Sequence, residues 1–279
     1  MRRIDNDAIR AAGEVRFRSE YDYAIFEYAR SSKVIQSVER SGVKLKGRVL
    51  DAGCGSGGTA LSIAEEVAFA VGLDLSPRFS DSGTKLAREK RIKNVAFTQG
   101  DGLKLPYASE SFDVVLSHSV IEHLPSAETY IAECARVLKK GGRFYLSTAP
   151  TLSLAGAHLP RLKVPVPIHL FLGRKLAFRV FVFLAAKAPW TLKEQSSANT
   201  FVKLAESGRE KEDDLLTPVT LRGMSRWISR SPFRLISEQR YVTGFFKRLT
   251  PPFLRPFLLE IPVVGDVMVS QIECVLEKP

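Results

Sequence analysis

Short apolar, β-branched runs alternate with stretches of helical period along residues 48–147. Arg48 to Asp51, Phe69 to Asp74, Val95 to Phe97, Phe112 to Leu116 and Arg143 to Ser147 read as strands. Thr59 to Val67, Pro77 to Arg91 and Ala127 to Lys139 read as the helices between them. Such alternation predicts a mostly parallel sheet with helices on both faces, and ligands then sit at the carboxyl ends of the strands. Ahead of it, residues 5–40 predict helices, with Phe17, Tyr21, Ile25 and Tyr28 on one face.

After Pro150 the alternation stops. Thr151 to Leu216 shows scattered prolines, an apolar-basic helix candidate and the polar run Glu206 to Asp214, which reads as a mainly helical insert. Thr217-Pro218 is a cap followed by proline and predicts a helix start. A strand at Phe233 to Val242, a proline-rich detour at Thr250 to Val264 and a last strand at Met268 to Leu276 complete the chain. The expected division is therefore 1–44 as N-terminal helices, 45–150 as a ligand-binding core, 151–216 as the insert and 217–279 as the completion of the core.

Charge adds a partner question to this outline. The formal net charge of +11 divides unevenly, +3 over residues 1–150 and +8 over 151–279. The surplus on the second half suits an anionic partner, either nucleic acid, a phosphorylated small molecule or a membrane surface, and the plainer alternative is a solvated basic face. Cys54, Cys134 and Cys274 lie far apart with no paired spacing, so the expectation is a reducing, cytoplasmic setting with neither a disulfide framework nor a cysteine zinc site. The charged opening of the chain does not read as a secretory signal. The longest uncharged run of the most apolar region, Val164 to Gly173, is too short to span a bilayer.

Gly53-Cys54-Gly55-Ser56-Gly57-Gly58 follows the first predicted strand and opens a helix, where small residues let a ligand approach backbone amides. The bare pattern also fits a dinucleotide-binding oxidoreductase. Asp74, ending the second strand, suits a ribose diol in either case. Three features separate the readings. Asp51 sits just before the glycine turn, where it would repel a pyrophosphate and attract a sulfonium cation. Asp101-Gly102 follows the third strand and can receive an exocyclic adenine amine. No tyrosine has a lysine four residues later, so the catalytic pair of a short-chain dehydrogenase is missing.

Val49-Leu50-Asp51-Ala52-Gly53-Cys54-Gly55-Ser56-Gly57, Gly72-Leu73-Asp74-Leu75-Ser76, Gly100-Asp101-Gly102 with Leu105-Pro106, Phe112-Asp113-Val114-Val115 and Leu138-Lys139-Lys140-Gly141-Gly142 occur in this order. Together they resemble the successive motifs of class I S-adenosylmethionine-dependent methyltransferases, of the small-molecule branch. The resemblance covers residues 45–150 strongly and the final helix and strands weakly. It implies an α/β Rossmann-like, seven-stranded, mostly parallel sheet with the last strand antiparallel, and S-adenosylmethionine as cofactor. It further implies Gly53 and Gly55 at the methionine portion, Asp51 at its amino-acid end and Asp74 on the ribose with Leu75 beside it. Asp101 and Gly102 would hold adenine, and the backbone of Ser117 would lie near the sulfonium.

All four histidines, His118, His123, His158 and His169, fall between residues 118 and 169. Glu122-His123-Leu124 resembles a segment of quinone and related O- and C-methyltransferases, which implies His123 as general base with His118 in reserve; the structural alternative is a histidine that packs a helix start. The five-residue spacing of His118 and His123 matches no usual ligand pattern, so no metal is expected. Ser117-His118-Ser119-Val120 stands where nucleic-acid amino-methyltransferases carry an Asn/Asp-Pro-Pro-aromatic segment, which places nucleic acid behind other acceptors. The expected function is methyl transfer to a hydroxyl, or to carbon, of a small-molecule or lipid-linked acceptor. A catalytically degraded cofactor-binding module acting on a membrane or partner is the alternative. Arg174, Lys175 and Arg179 interrupt the apolar region Val164 to Lys187, so the insert is expected to act as a lid or to meet an anionic membrane surface peripherally.

Overall fold

The computed structural model describes residues 4–279 except 17, 165, 194 and 209, and of residues 195–200 the backbone alone. Helices α1 (Asn6–Val15) and α2 (Glu20–Arg40) precede the alternating core. The core runs β1 (Arg48–Ala52), α3 (Gly58–Ala64), β2 (Phe69–Asp74), α4 (Ser82–Glu89), β3 (Val95–Gln99), β4 (Phe112–His118), α5 (Ala127–Val137) and β5 (Leu138–Thr148). The insert carries α6 (Ile168–Lys187) and α7 (Gln195–Glu206). The chain ends with α8 (Leu221–Arg230), β6 (Arg234–Val242), α9 (Gly244–Leu249), α10 (Arg255–Glu260), α11 (Val264–Met268) and β7 (Val269–Glu277).

One seven-stranded sheet has the order β3-β2-β1-β4-β5-β7-β6. Strands β1 to β5 pair in parallel, and β7 runs antiparallel to both β5 and β6, as the motif order implied. The direction of progression reverses between β1 and β4, and the crevice at that switch point is where an open α/β sheet receives its ligand. The central strands are buried on both faces, with Leu50, Val115, Phe144 and Leu146 in one cluster and Val49, Val114 and Tyr145 in another. Each such large apolar side chain contributes about 1.5–3 kcal/mol on burial.

The first two helices follow the predicted face. Tyr21, Ile25 and Tyr28 pack with Ala24, Leu61 and Leu86, while Phe17 lies outside the described residues. The Ser19 hydroxyl accepts the Asp22 amide at 3.0 Å and starts α2. This docking matters for function because it lays α2 across the glycine turn after β1.

Four expected boundaries differ. Pro77 to Arg91 divides into a 3-10 turn, Pro77–Phe79, and α4, because the Ser82 hydroxyl engages the carbonyls of Arg78 and Ser56 instead of continuing one helix. β5 starts at Leu138, five residues early, since Leu138 pairs with Phe112 before a register shift and Gly141 turns at φ 72°. α8 is capped by Thr220, whose hydroxyl accepts the Gly223 amide at 2.9 Å, while the Thr217 hydroxyl is spent on the Leu124 carbonyl. The proline-rich detour contains the short helices α10 and α11.

The insert is fastened at its base. The Thr151 amide donates to the Val219 carbonyl at 2.9 Å and the Val219 amide to the Thr151 hydroxyl at 2.8 Å. It has its own cluster of Phe178, Phe181, Ala185, Leu192 and Phe201. α6 breaks at Gly173, whose φ of 71° leaves the helical region. Phe171 and Phe183 remain exposed on it. No helix among the described residues is long and apolar enough to cross a membrane.

Candidate active site

The turn after β1 is tight by construction. Gly53 sits at φ 95°, and a Cβ there would lie 2.2 Å from Val120 Cγ2. Gly55 sits at φ 56°, with the Glu27 carboxylate 2.9 Å from the position of a Cβ. A side chain at Gly53 is excluded by both conformation and space, while at Gly55 the backbone disfavours one and the Glu27 carboxylate would have to shift.

Carboxylates converge on this turn. Asp51 is buried at the end of β1 and its Oδ2 has no hydrogen-bond partner. Burial, reinforced by the charge of Asp74, pushes its carboxyl up to about 7. Asp74 accepts the Gly55 amide on Oδ2 and the Ser76 amide on Oδ1, both at 2.9 Å, which locks the ends of β1 and β2 together. Glu27, from α2, accepts the Gly58 amide at 3.2 Å. Burial raises its carboxyl to about 8, the Gly58 hydrogen bond acting against that and Asp51 adding to it. A site holding two carboxyls that ionise near neutrality suits a cation.

The remaining expected cofactor residues lie along the same edge. Leu75, after β2, is 69% exposed, a large apolar side chain set beside the site. Asp101 accepts the Leu103 amide at 2.8 Å, and Gly102 backs onto the Tyr130 ring. Ser117 is fully buried, its hydroxyl 2.9 Å from that of Tyr130, which also donates to the Ala52 carbonyl at 3.1 Å. Tyr130 thus ties β1 to β4 across the switch point, a role the sequence did not announce. Asp51, Gly53, Gly55, Asp74, Leu75, Asp101, Gly102 and Ser117 all stand at or just beyond the carboxyl ends of adjacent strands.

Beyond β4 the two histidines part. His118 holds a buried Nδ1 with no hydrogen-bond partner, and burial, with the charge of Arg30, lowers its imidazole to about 4. His123 instead joins residues brought by the insert. Its Nδ1 lies 2.9 Å from the Asp214 carbonyl, and since a carbonyl only accepts, Nδ1 carries a proton and the neutral ring has its lone pair on Nε2. The His158 ring lies 5.2 Å from it, centroid to centroid, and His158 Nε2 is 3.9 Å from Glu122 Oε1. Burial lowers His158 to about 4, with His123 and Arg174 contributing. Glu122 is buried, its Oε2 accepts from Thr148 at 2.9 Å, its Oε1 lacks a hydrogen-bond partner, and burial raises its carboxyl. Ligand atoms of Glu122, His123 and His158 lie within 4.8 Å of one another, so among the described residues this set is the one able to hold a metal ion. The spacing of His118 and His123 gave no hint of it, because the third member comes from the insert. His169 stays apart, its Nε2 3.0 Å from the Leu152 carbonyl.

Two of the four cations on α6, Arg174 and Arg179, are engaged within the insert. Arg179 pairs with Glu212 at 2.6 Å, and Arg174 donates to the carbonyls of Ala157, Lys211 and Glu212.

Comparison with known proteins agrees with this geometry. Residues 50–146 match the family described as the methyltransferase domain. The chain is 34% identical over 151 residues to the uncharacterized methyltransferase YcgJ of Bacillus subtilis, covering 50% of this chain and 60% of that protein. It is 32% identical over 139 residues to a probable tocopherol O-methyltransferase of Oryza sativa subsp. japonica, covering 49% of this chain and 38% of the relative. These matches therefore span less than two thirds of either relative. The fold is shared with geranyl diphosphate methyltransferase in complex with its cofactor, at a TM-score of 0.54 and 14% identity, over 99% of this chain and 96% of that one. The core has the seven-stranded fold shared with these methyltransferases. Residues 50–146 are the part of this chain that is similar to the methyltransferase domain.

Proposed function

We propose that the chain transfers a methyl group from S-adenosylmethionine to a hydroxyl of a small or lipid-linked acceptor, with His123 as general base. The observation that carries this reading is the buried, unpartnered oxygen of Asp51 beneath a glycine turn too tight for a side chain. That arrangement suits the charged amino group and sulfonium of the cofactor and would repel a pyrophosphate. Asp74 retains lone pairs for two ribose hydroxyls after serving the Gly55 and Ser76 amides. Gly53 and Gly55 give the methionine portion access to the backbone, Asp101 and Gly102 would take adenine with Leu75 against it, and Ser117 backs the reacting end.

S-adenosylmethionine supplies the methyl on a sulfonium, so that as the oxygen–carbon bond forms the carbon–sulfur bond breaks and a neutral thioether leaves. The residues of this chain then have two tasks, alignment of the hydroxyl and removal of its proton. His123 is set up for the second. Its Nδ1 proton is held by the Asp214 carbonyl, which orients the ring and directs the Nε2 lone pair to accept the hydroxyl proton. His158 and Glu122 sit next to it and can pass that proton on. The insert, from 151 to 216, serves as the acceptor-side cover, since it delivers both His158 and the Asp214 carbonyl.

The test is methylation of cell extract with labelled S-adenosylmethionine, followed by identification of the product. A labelled ether confirms the reaction class. Label on carbon or nitrogen reassigns the atom, and binding of the cofactor product without any labelled acceptor favours the degraded-module alternative.

A further inference from the structure

On the far side of the segment that carries His158, the insert and the end of the sheet enclose a cavity of about 810 Å³. Its apolar wall includes Leu154, Leu159, Ile168, Phe181, Phe245 and Leu249. Four cations, Arg161, Lys163, Lys193 and Arg248, also line it, and no aspartate or glutamate does. All four are exposed, and none forms an ion pair among the described residues. This contrasts with Arg174 and Arg179 on the neighbouring helix, which the insert consumes.

The local backbone explains the grouping. The Lys163 amide donates to the Thr191 carbonyl at 2.9 Å and the Lys193 amide to the Arg161 carbonyl at 2.8 Å, around a bridge between Leu162 and Leu192. Leu192 is buried in the insert's own cluster and Leu162 packs against it at the cavity edge, with Arg161, Lys163 and Lys193 grouped around them at the cavity. Arg248 approaches from α9. Unpaired like charges at an apolar opening raise one another's energy, and an anion relieves that. A half-open, mainly apolar cleft of this volume is in the size range of small-ligand sites.

We propose that this cavity binds the apolar chain of a single anionic amphiphile, with Arg161, Lys163, Lys193 and Arg248 taking its anionic group. Resting on the methyltransferase reading above, this amphiphile is the acceptor. Ala157 lines the cavity and its chain neighbour His158 lies 3.9 Å from Glu122, so one segment borders both the cavity and the His123 group. The occupant is a monomeric molecule, and a vesicle surface is the competing outcome.

The probe is cis-parinarate, a fluorescent fatty acid, with its methyl ester as the uncharged counterpart, titrated into the full chain. Saturable binding of one parinarate per chain is expected, with the ester about tenfold weaker. Arg161→Glu combined with Lys193→Glu is expected to weaken parinarate about tenfold, whereas reversal of Arg226 and Arg230 on α8 changes it by less than about twofold. Phe245→Asp, at an exposed part of the wall, provides a second variant that also weakens the probe. Equal binding of acid and ester, or equal effects of both charge reversals, overturns the anion site. Binding to phosphatidylglycerol vesicles without binding of the monomeric probe replaces it with a membrane surface. S-adenosylhomocysteine affinity is measured on the same samples and is expected to stay unchanged. Its absence with parinarate still bound would sink the methyltransferase reading and the acceptor role while leaving the cavity as a lipid site.

Discussion

At the residue scale the two decisive groups are Asp74 and His123, and each predicts a different kinetic signature. Asp74 already anchors two amides, so Asp74→Asn keeps one acceptor oxygen for them and removes the charge that the ribose hydroxyls would use. The expected loss is about 1.5–3 kcal/mol, or roughly 10- to 150-fold in the dissociation constant of S-adenosylhomocysteine. Calorimetry giving an unchanged constant for a folded Asp74→Asn variant would remove the cofactor from this position. His123→Ala is expected to lower turnover about 10²–10⁴-fold with cofactor affinity nearly intact, because the ring is held by the insert's Asp214 carbonyl and not by the glycine turn. Full turnover in that variant, with loss in His118→Ala, would transfer the role to His118; loss in neither would leave catalysis to positioning.

Among the elements, the turn between β1 and α3 carries the strongest prediction. Gly53→Ala combines a backbone at φ 95° with a Cβ 2.2 Å from Val120, so it should cost about 1–3 kcal/mol from conformation alone and displace Val120 from the site. A thermal melt and a cofactor titration are both expected to worsen. Val120→Ala in the same chain should recover part of the binding by relieving the contact. This turn was legible in the sequence because β-branched runs on either side fix the strands and glycine is the residue such a conformation admits. The helices α10 and α11 were not legible, since runs of 5–6 residues among prolines have no period to detect. Tertiary contacts hold them, including the Leu221 amide to Asp266 Oδ1 at 2.6 Å and the Arg240 guanidinium to Glu260 Oε1 at 2.8 Å. The site divides in the same way. Motif residues on strand ends were readable, whereas Glu27 lies in an ordinary helical run and His158 in an insert without periodicity. The clustering of four histidines was the signal that pointed toward His158, and which of them met His123 depended on the fold of the insert.

For the whole molecule, the buried carboxyls make stability and cofactor binding respond to pH in opposite directions. Asp51 and Glu27 are raised to about 7 and about 8, whereas in the unfolded chain they ionise near ~4. The folded state therefore holds protons that the unfolded state releases, and their contribution, complete below pH ~4, is lost as pH rises through about 7 and 8. His118 and His158 are depressed to about 4, so their contribution is present above ~6.5 and lost as pH falls toward 4. The two pairs oppose one another between about 4 and 6.5, and above that the carboxyls dominate this balance, with the raised Glu122 and Glu210 acting in the same direction. The cofactor-free chain is thus expected to show a Tm that declines from about pH 6.5 to 8.5. A cationic cofactor next to Asp51 and Glu27 favours their ionised forms, so binding near pH 7 should release protons and tighten as pH rises. Calorimetry at pH 7 in two buffers of different ionisation enthalpy measures that release directly. A binding enthalpy independent of buffer, together with a flat Tm over the same range, would show that neither carboxyl holds its proton in the folded chain.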